Sequence, residues 1–104
     1  MLKVALGNTN LNVSQVGIGV LPMGPGQLAL PVDEGADIIC HAVRQGINFI
    51  DTAQYYRTYP YIRRALEILS LDGGERTHGA PDGLFICSKS LAHDYDNMTA
   101  AIEQ

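Results

Sequence analysis

Three side chains of this sequence could cooperate in proton transfer: Asp51, Tyr56 and Lys89. The run Asn48-Phe49-Ile50-Asp51-Thr52-Ala53-Gln54-Tyr55-Tyr56 reads as a buried strand ending on a carboxylate, followed by a turn that carries a phenol. Leu84-Phe85-Ile86-Cys87-Ser88-Lys89-Ser90 reads as a second apolar strand, ending on an ammonium. Side chains alternate along a strand, so Asp51 shares a face with Ile47 and Phe49, and Lys89 with Phe85 and Cys87. If both faces point into one interior, the two charges meet at a common rim above apolar layers, where parallel α/β barrels carry their sites. A lysine beside a carboxylate stays charged, and its ammonium favours the ionised form of a neighbouring phenol. Tyr56 would then be a good proton donor near neutral pH. Taken singly, an aspartate at a strand end reads as a cap and a lysine there as a solvated charge. The two strand ends together, with Tyr56 between them, point to chemistry.

The elements that must position these groups follow from the rest of the chain. Leu2 to Leu6 and Leu11 to Ser14 flank the turn-rich Gly7-Asn8-Thr9-Asn10, which predicts a β-hairpin over residues 1–14. Gln15 to Val20 predicts a strand with Val16, Ile18 and Val20 on one face. Gly17 and Gly19 leave space on the other. The Gly17-x-Gly19 pair lacks the third glycine of a dinucleotide fingerprint. Leu21 to Leu30, with Pro22, Gly24, Pro25 and Gly26, must be loop.

A helix is predicted from Pro31 to Gln45, with Asp33 and Glu34 in its first turn and Gly46 as its stop. Val32, Ala36, Ile39 and Val43 would form its apolar stripe. After the strand Ile47 to Ala53 and the tyrosine-rich turn comes a helix from Tyr61 to Leu71, burying Ile62, Leu66 and Leu69. Residues 71–83 read as a surface loop containing His78. Asp94 or Asp96 caps a final helix beginning near Asn97. Strands alternating with helices across short connections predict parallel βαβ units.

The chain has 104 residues, 46% hydrophobic and 17% charged, which suits one ordinary domain. No apolar run approaches the roughly 20 residues that span a bilayer, and the N-terminus lacks a signal peptide's apolar core. A net charge of −4 opposes broad nucleic-acid binding, despite Arg57, Arg63 and Arg64 lying among tyrosines. Cys40 and Cys87 are too few for a disulfide scaffold and read as buried thiols, which suggests the cytoplasm. His41 reads as a helix-surface residue, and His78 has no second ligand at metal spacing, so no metal is expected.

At the chemistry-bearing residues the sequence resembles the aldo-keto reductases. Leu6 to Ser14 is similar to that family's opening hairpin, and Val16-Gly17-Ile18-Gly19 to its first barrel strand. Gly46-Ile47-Asn48-Phe49-Ile50-Asp51-Thr52-Ala53 with Tyr56 is similar to its best-known signature, and Ile86-Cys87-Ser88-Lys89-Ser90 to the segment bearing its catalytic lysine. The resemblance implies the N-terminal three βα units of a (β/α)8 TIM barrel over residues 15–104, preceded by the hairpin. It implies NADPH-dependent, or alternatively NADH-dependent, reduction of an aldehyde or ketone. Tyr56 would protonate the carbonyl oxygen, Lys89 would tune Tyr56, and Asp51 would hold Lys89. Gly19, Val20, Leu21 and Asp51 would lie near the nicotinamide, and Tyr55 would be packing or pocket wall.

Two features depart from the family pattern. Arg57 follows Tyr56 where a glycine is usual, which bears on the loop rather than on the acid. The family's catalytic histidine is matched by none of His41, His78 or His93 and is expected beyond Gln104. The chain alone is therefore expected to be inactive and, with open sheet edges, to self-associate. The alternative is a non-catalytic interaction module built from the same barrel.

Overall fold

The computed structural model describes residues 2–73 and 83–104. Strands β1 (Lys3–Ala5) and β2 (Asn12–Ser14) pair antiparallel, with Val4 opposite Val13. The connection between them turns at Gly7 and Asn10, both left-handed, with φ of 54° and 62°. Strands β3 (Ile18–Gly19), β4 (Phe49–Asp51) and β5 (Phe85–Cys87) form a separate parallel sheet in the order β3-β4-β5.

These strands are shorter than the apolar runs suggest. Leu21–Met23 and Gln54–Tyr56 wind into 3-10 turns just past β3 and β4, and Val16 is 55% exposed rather than sharing the core face with Val20. Pairing between the second and third segments nevertheless continues past the strands. The Thr52 N–H donates to the Cys87 carbonyl at 2.8 Å and that of Gln54 to the Lys89 carbonyl at 2.9 Å.

Asn48, fully buried at the entry to β4, joins the two sheets. Its side-chain oxygen accepts from the Ser14 N–H at 2.6 Å and its amide donates to the Asn12 carbonyl at 3.0 Å. Its own N–H donates to Ser14 Oγ at 3.1 Å, and its carbonyl accepts from Phe85 at 2.8 Å. The antiparallel pair thus abuts the N-terminal ends of the parallel strands, opposite the end carrying Asp51.

Helix α1 (Val32–Arg44) starts after Pro31, carries Asp33 and Glu34 in its first turn, and ends where Gly46 takes φ of 102°. It buries Ala36, Ile39, Cys40 and Val43, while Val32 is 41% exposed and does not join the stripe. Helix α2 (Tyr59–Gly73) begins before the expected Tyr61 and runs past Leu71. It buries Tyr61, Ile62, Ala65 and Leu69, with Leu66 packed at the margin. The rest of the predicted loop, with His78, lies outside the described residues.

Gly35 lets the Tyr61 ring lie directly against α1, and the Tyr61 hydroxyl donates to the Leu30 carbonyl at 2.8 Å. Both helices cover one face of the sheet, closing a core of Val20, Ile39, Val43, Ile50 and Leu69. Each such aliphatic side chain contributes about 1.5–3 kcal/mol on burial, so this layer carries most of the stability. Helix α3 (Tyr95–Glu103) is largely exposed. Asp94 caps it, accepting from the Asn97 N–H at 2.8 Å, so it starts two residues ahead of Asn97. The Asn97 bonds hold the Asp94 carboxyl below its ordinary range. Among the described residues, no helix is long and apolar enough to cross a membrane.

Candidate active site

Asp51 ends β4 directly beside Cys87 of β5, and Lys89 follows two residues after Cys87, on the same face. Lys89 Nζ lies 2.8 Å from Asp51 Oδ1, with both side chains half-exposed. The hydrogen bond to Asp51 raises the Lys89 pKa, partial burial opposes the rise, and the charge of Asp51 adds to it. Lys89 Nζ also stands 5.5 Å from the centre of the Tyr56 ring, within cation–π range. Asp51, Tyr56 and Lys89 therefore converge, with the ammonium bonded to the carboxylate and facing the ring of the phenol.

The Tyr56 turn is fixed from beneath. The hydroxyls of Thr52 and Thr58 hydrogen bond at 2.7 Å, and both residues are fully buried. Arg57 closes the turn in the left-handed region, at φ 57° and ψ 38°. Gly24 packs against the same turn: a Cβ there would stand 2.7 Å from Thr58 Cγ2 and 2.9 Å from the Tyr56 carbonyl oxygen. Sequence reasoning missed Thr58 and Gly24. The available signal was a pair of hydroxyl residues bracketing a tight turn.

The expected cofactor-side residues separate. Gly19 stands opposite Asp51 in the sheet, and a Cβ on it would meet open space. The Val20 side chain is fully buried in the core, and its N–H donates to the Asp51 carbonyl at 3.2 Å. The Val20 side chain therefore belongs to the core, and its backbone reaches the rim. Leu21 lines a cavity of about 730 Å³ together with Gln27, Tyr55, Tyr56, Arg57 and Leu91. Tyr55, 78% exposed, is a cavity wall.

Cys40 is buried as expected, and burial raises its pKa. Cys87 is corrected: it is exposed, because it shares the open face with Asp51 and Lys89. His41 and His93 are exposed. Arg64 is held by Asp33 at 2.9 Å and Glu67 at 3.1 Å, and Tyr61 is buried, so these two members of the arginine–tyrosine cluster are committed to an ion pair and to packing.

A sequence profile of the Aldo/keto reductase family matches residues 15–104. The chain belongs to this family. The matched span runs from β3 to α3 and includes Asp51, Tyr56 and Lys89. Among curated relatives, L-galactose dehydrogenase of Arabidopsis thaliana is 46% identical over 52 residues. That alignment covers 50% of this aldo/keto reductase chain and 16% of the plant protein. No solved structure matches the chain at a significant level.

Proposed function

We propose that these residues form part of the catalytic rim of an oxidoreductase that reduces an aldehyde or ketone to an alcohol with NADPH, or runs the reverse oxidation. The observation that carries this reading is the Asp51–Lys89 pair at 2.8 Å, at the C-terminal ends of neighbouring parallel strands and beside the Tyr56 ring. The parallel sheet and its helices support assignment to the first three βα units of a (β/α)8 barrel, with β1 and β2 at its N-terminal end.

The residues present suit a flat nicotinamide ring. Gly19 leaves open space next to Asp51, and Leu21 lines the cavity that holds Tyr56. Bound there, the cofactor would supply hydride to the carbonyl carbon. Tyr56 would give its hydroxyl proton to the carbonyl oxygen. The Lys89 ammonium would stabilise the phenolate left behind, and Asp51 would keep that ammonium charged and in place. Thr52 and Thr58 would hold the turn so that the phenol meets the substrate in one orientation.

The 104 residues alone are expected to turn over no aldehyde, because among the described residues neither His41 nor His93 lines the Tyr56 cavity. Titration with NADPH, followed by assay with a simple aldehyde, tests this. Tight binding with turnover would overturn the expected inactivity. Association of the isolated chain is also expected, since Ile86 on β5 is 46% exposed and Ile102 on α3 78% exposed. Sedimentation as a monomer at high concentration would contradict it.

A further inference from the structure

The cavity over Tyr56 has apolar walls from Leu21, Tyr55 and Leu91, and among its described lining residues Arg57 alone carries a charge. Arg64 is committed to Asp33 and Glu67, whereas Arg57 has no ion-pair partner among the described residues. The Arg57 backbone holds the left-handed conformation, φ 57° and ψ 38°, which side chains with a Cβ rarely adopt. A long cation is thus kept in a strained position, one residue from the phenol and in the same cavity, without a structural ion pair to explain it. A guanidinium takes a carboxylate through two parallel hydrogen bonds.

We propose that Arg57 makes this site selective for carbonyl substrates that carry a carboxylate, the guanidinium holding the carboxylate while the carbonyl oxygen faces the Tyr56 hydroxyl. The substrate half of this proposal rests on the reductase reading above; the anion-binding half stands without it.

Titration of the 104-residue chain with benzoate, benzamide and 2′,5′-ADP, followed by NMR, tests the anion site. Benzoate is expected to bind about tenfold tighter than benzamide, as a charge-assisted hydrogen bond requires. Arg57→Lys should keep part of that preference and Arg57→Gly should abolish it. Glycine suits the left-handed backbone, so the turn survives the change. Equal binding of benzoate and benzamide, or an undiminished preference in Arg57→Gly, would overturn the proposal. Displacement of benzoate by 2′,5′-ADP would do the same, assigning the anion site to the cofactor. In NADPH-dependent turnover by the protein extended to full family length, Arg57→Gly should lower kcat/KM for 4-carboxybenzaldehyde about tenfold relative to 4-formylbenzamide. Turnover without that discrimination sinks the proposal and leaves the reductase reading intact. Carboxylate binding without any turnover sinks the reductase reading and the substrate half with it, and leaves only the anion site standing.

Discussion

Lys89 Nζ bonds to Asp51 Oδ1 at 2.8 Å, joining the ends of two adjacent parallel strands, and the same ammonium stands 5.5 Å from the centre of the Tyr56 ring. One cation thereby serves a carboxylate and an aromatic face that come from separate segments. Because both charged side chains are half-exposed, their pairing adds little to folding stability, and under the proposed function its weight falls on the chemistry.

Lys89→Met should therefore leave the melting temperature nearly unchanged, while lowering kcat of the family-length enzyme by about 100-fold or more. The pH dependence has a definite sign. The folded-state pKa of Lys89 is raised by the Asp51 hydrogen bond, so any stability the pair contributes is complete below the ordinary lysine value of about 10.4. It is lost as pH rises through the raised value. The small difference in melting temperature between wild type and Lys89→Met should hold across neutral pH and vanish only in strong alkali.

The Thr52–Thr58 pair is fully buried, so removing one hydroxyl leaves the other without its partner. Thr58→Val should cost about 1–3 kcal/mol in urea denaturation. The double variant with Thr52→Val should lose less than the sum of the single losses, because the two hydroxyls satisfy each other.

Arg57→Gly should stabilise the fold by about 0.5–1 kcal/mol. Relief of the left-handed strain, about 1–2 kcal/mol, outweighs the greater freedom of glycine in the unfolded chain. Chemical denaturation checks this independently of any ligand.

At Gly35 two effects compete. Alanine is favoured in a helix by about 1 kcal/mol, but its Cβ would overlap Tyr61 Cδ1 and approach Met23 Sδ to 3.1 Å. The Tyr61 ring is 5% exposed and tied to the Leu30 carbonyl, so it cannot swing aside. Overpacking of about 1–3 kcal/mol should win, and Gly35→Ala should lower the melting temperature. Gly26→Ala, where a Cβ would meet nothing within 4 Å, is the control for steric overlap.

The parts legible in the sequence were those that local pattern determines. Alternation placed Asp51 and Lys89 on matching faces, and Gly46 marked the end of α1. Longer-range contacts were not legible. Asn48 looked like an ordinary strand residue, yet it bonds to Ser14 and Asn12 across more than thirty positions. Strand lengths were overread: of the expected runs 15–20 and 47–53 only Ile18–Gly19 and Phe49–Asp51 join the ladder, because apolar alternation marks a buried segment without marking where its hydrogen bonds end. Cys87 proved exposed because burial depends on which sheet face the helices cover: Val20 lies beneath α1 and α2, whereas Cys87 is on the face left open.

The sharpest test is the rate of NADPH-dependent aldehyde reduction by Tyr56→Phe in the family-length protein. Loss of the proton donor should lower kcat by about 100- to 10,000-fold while leaving the fold intact. A kcat within about twofold of wild type would contradict the role given to Tyr56, and with it the account of Asp51 and Lys89.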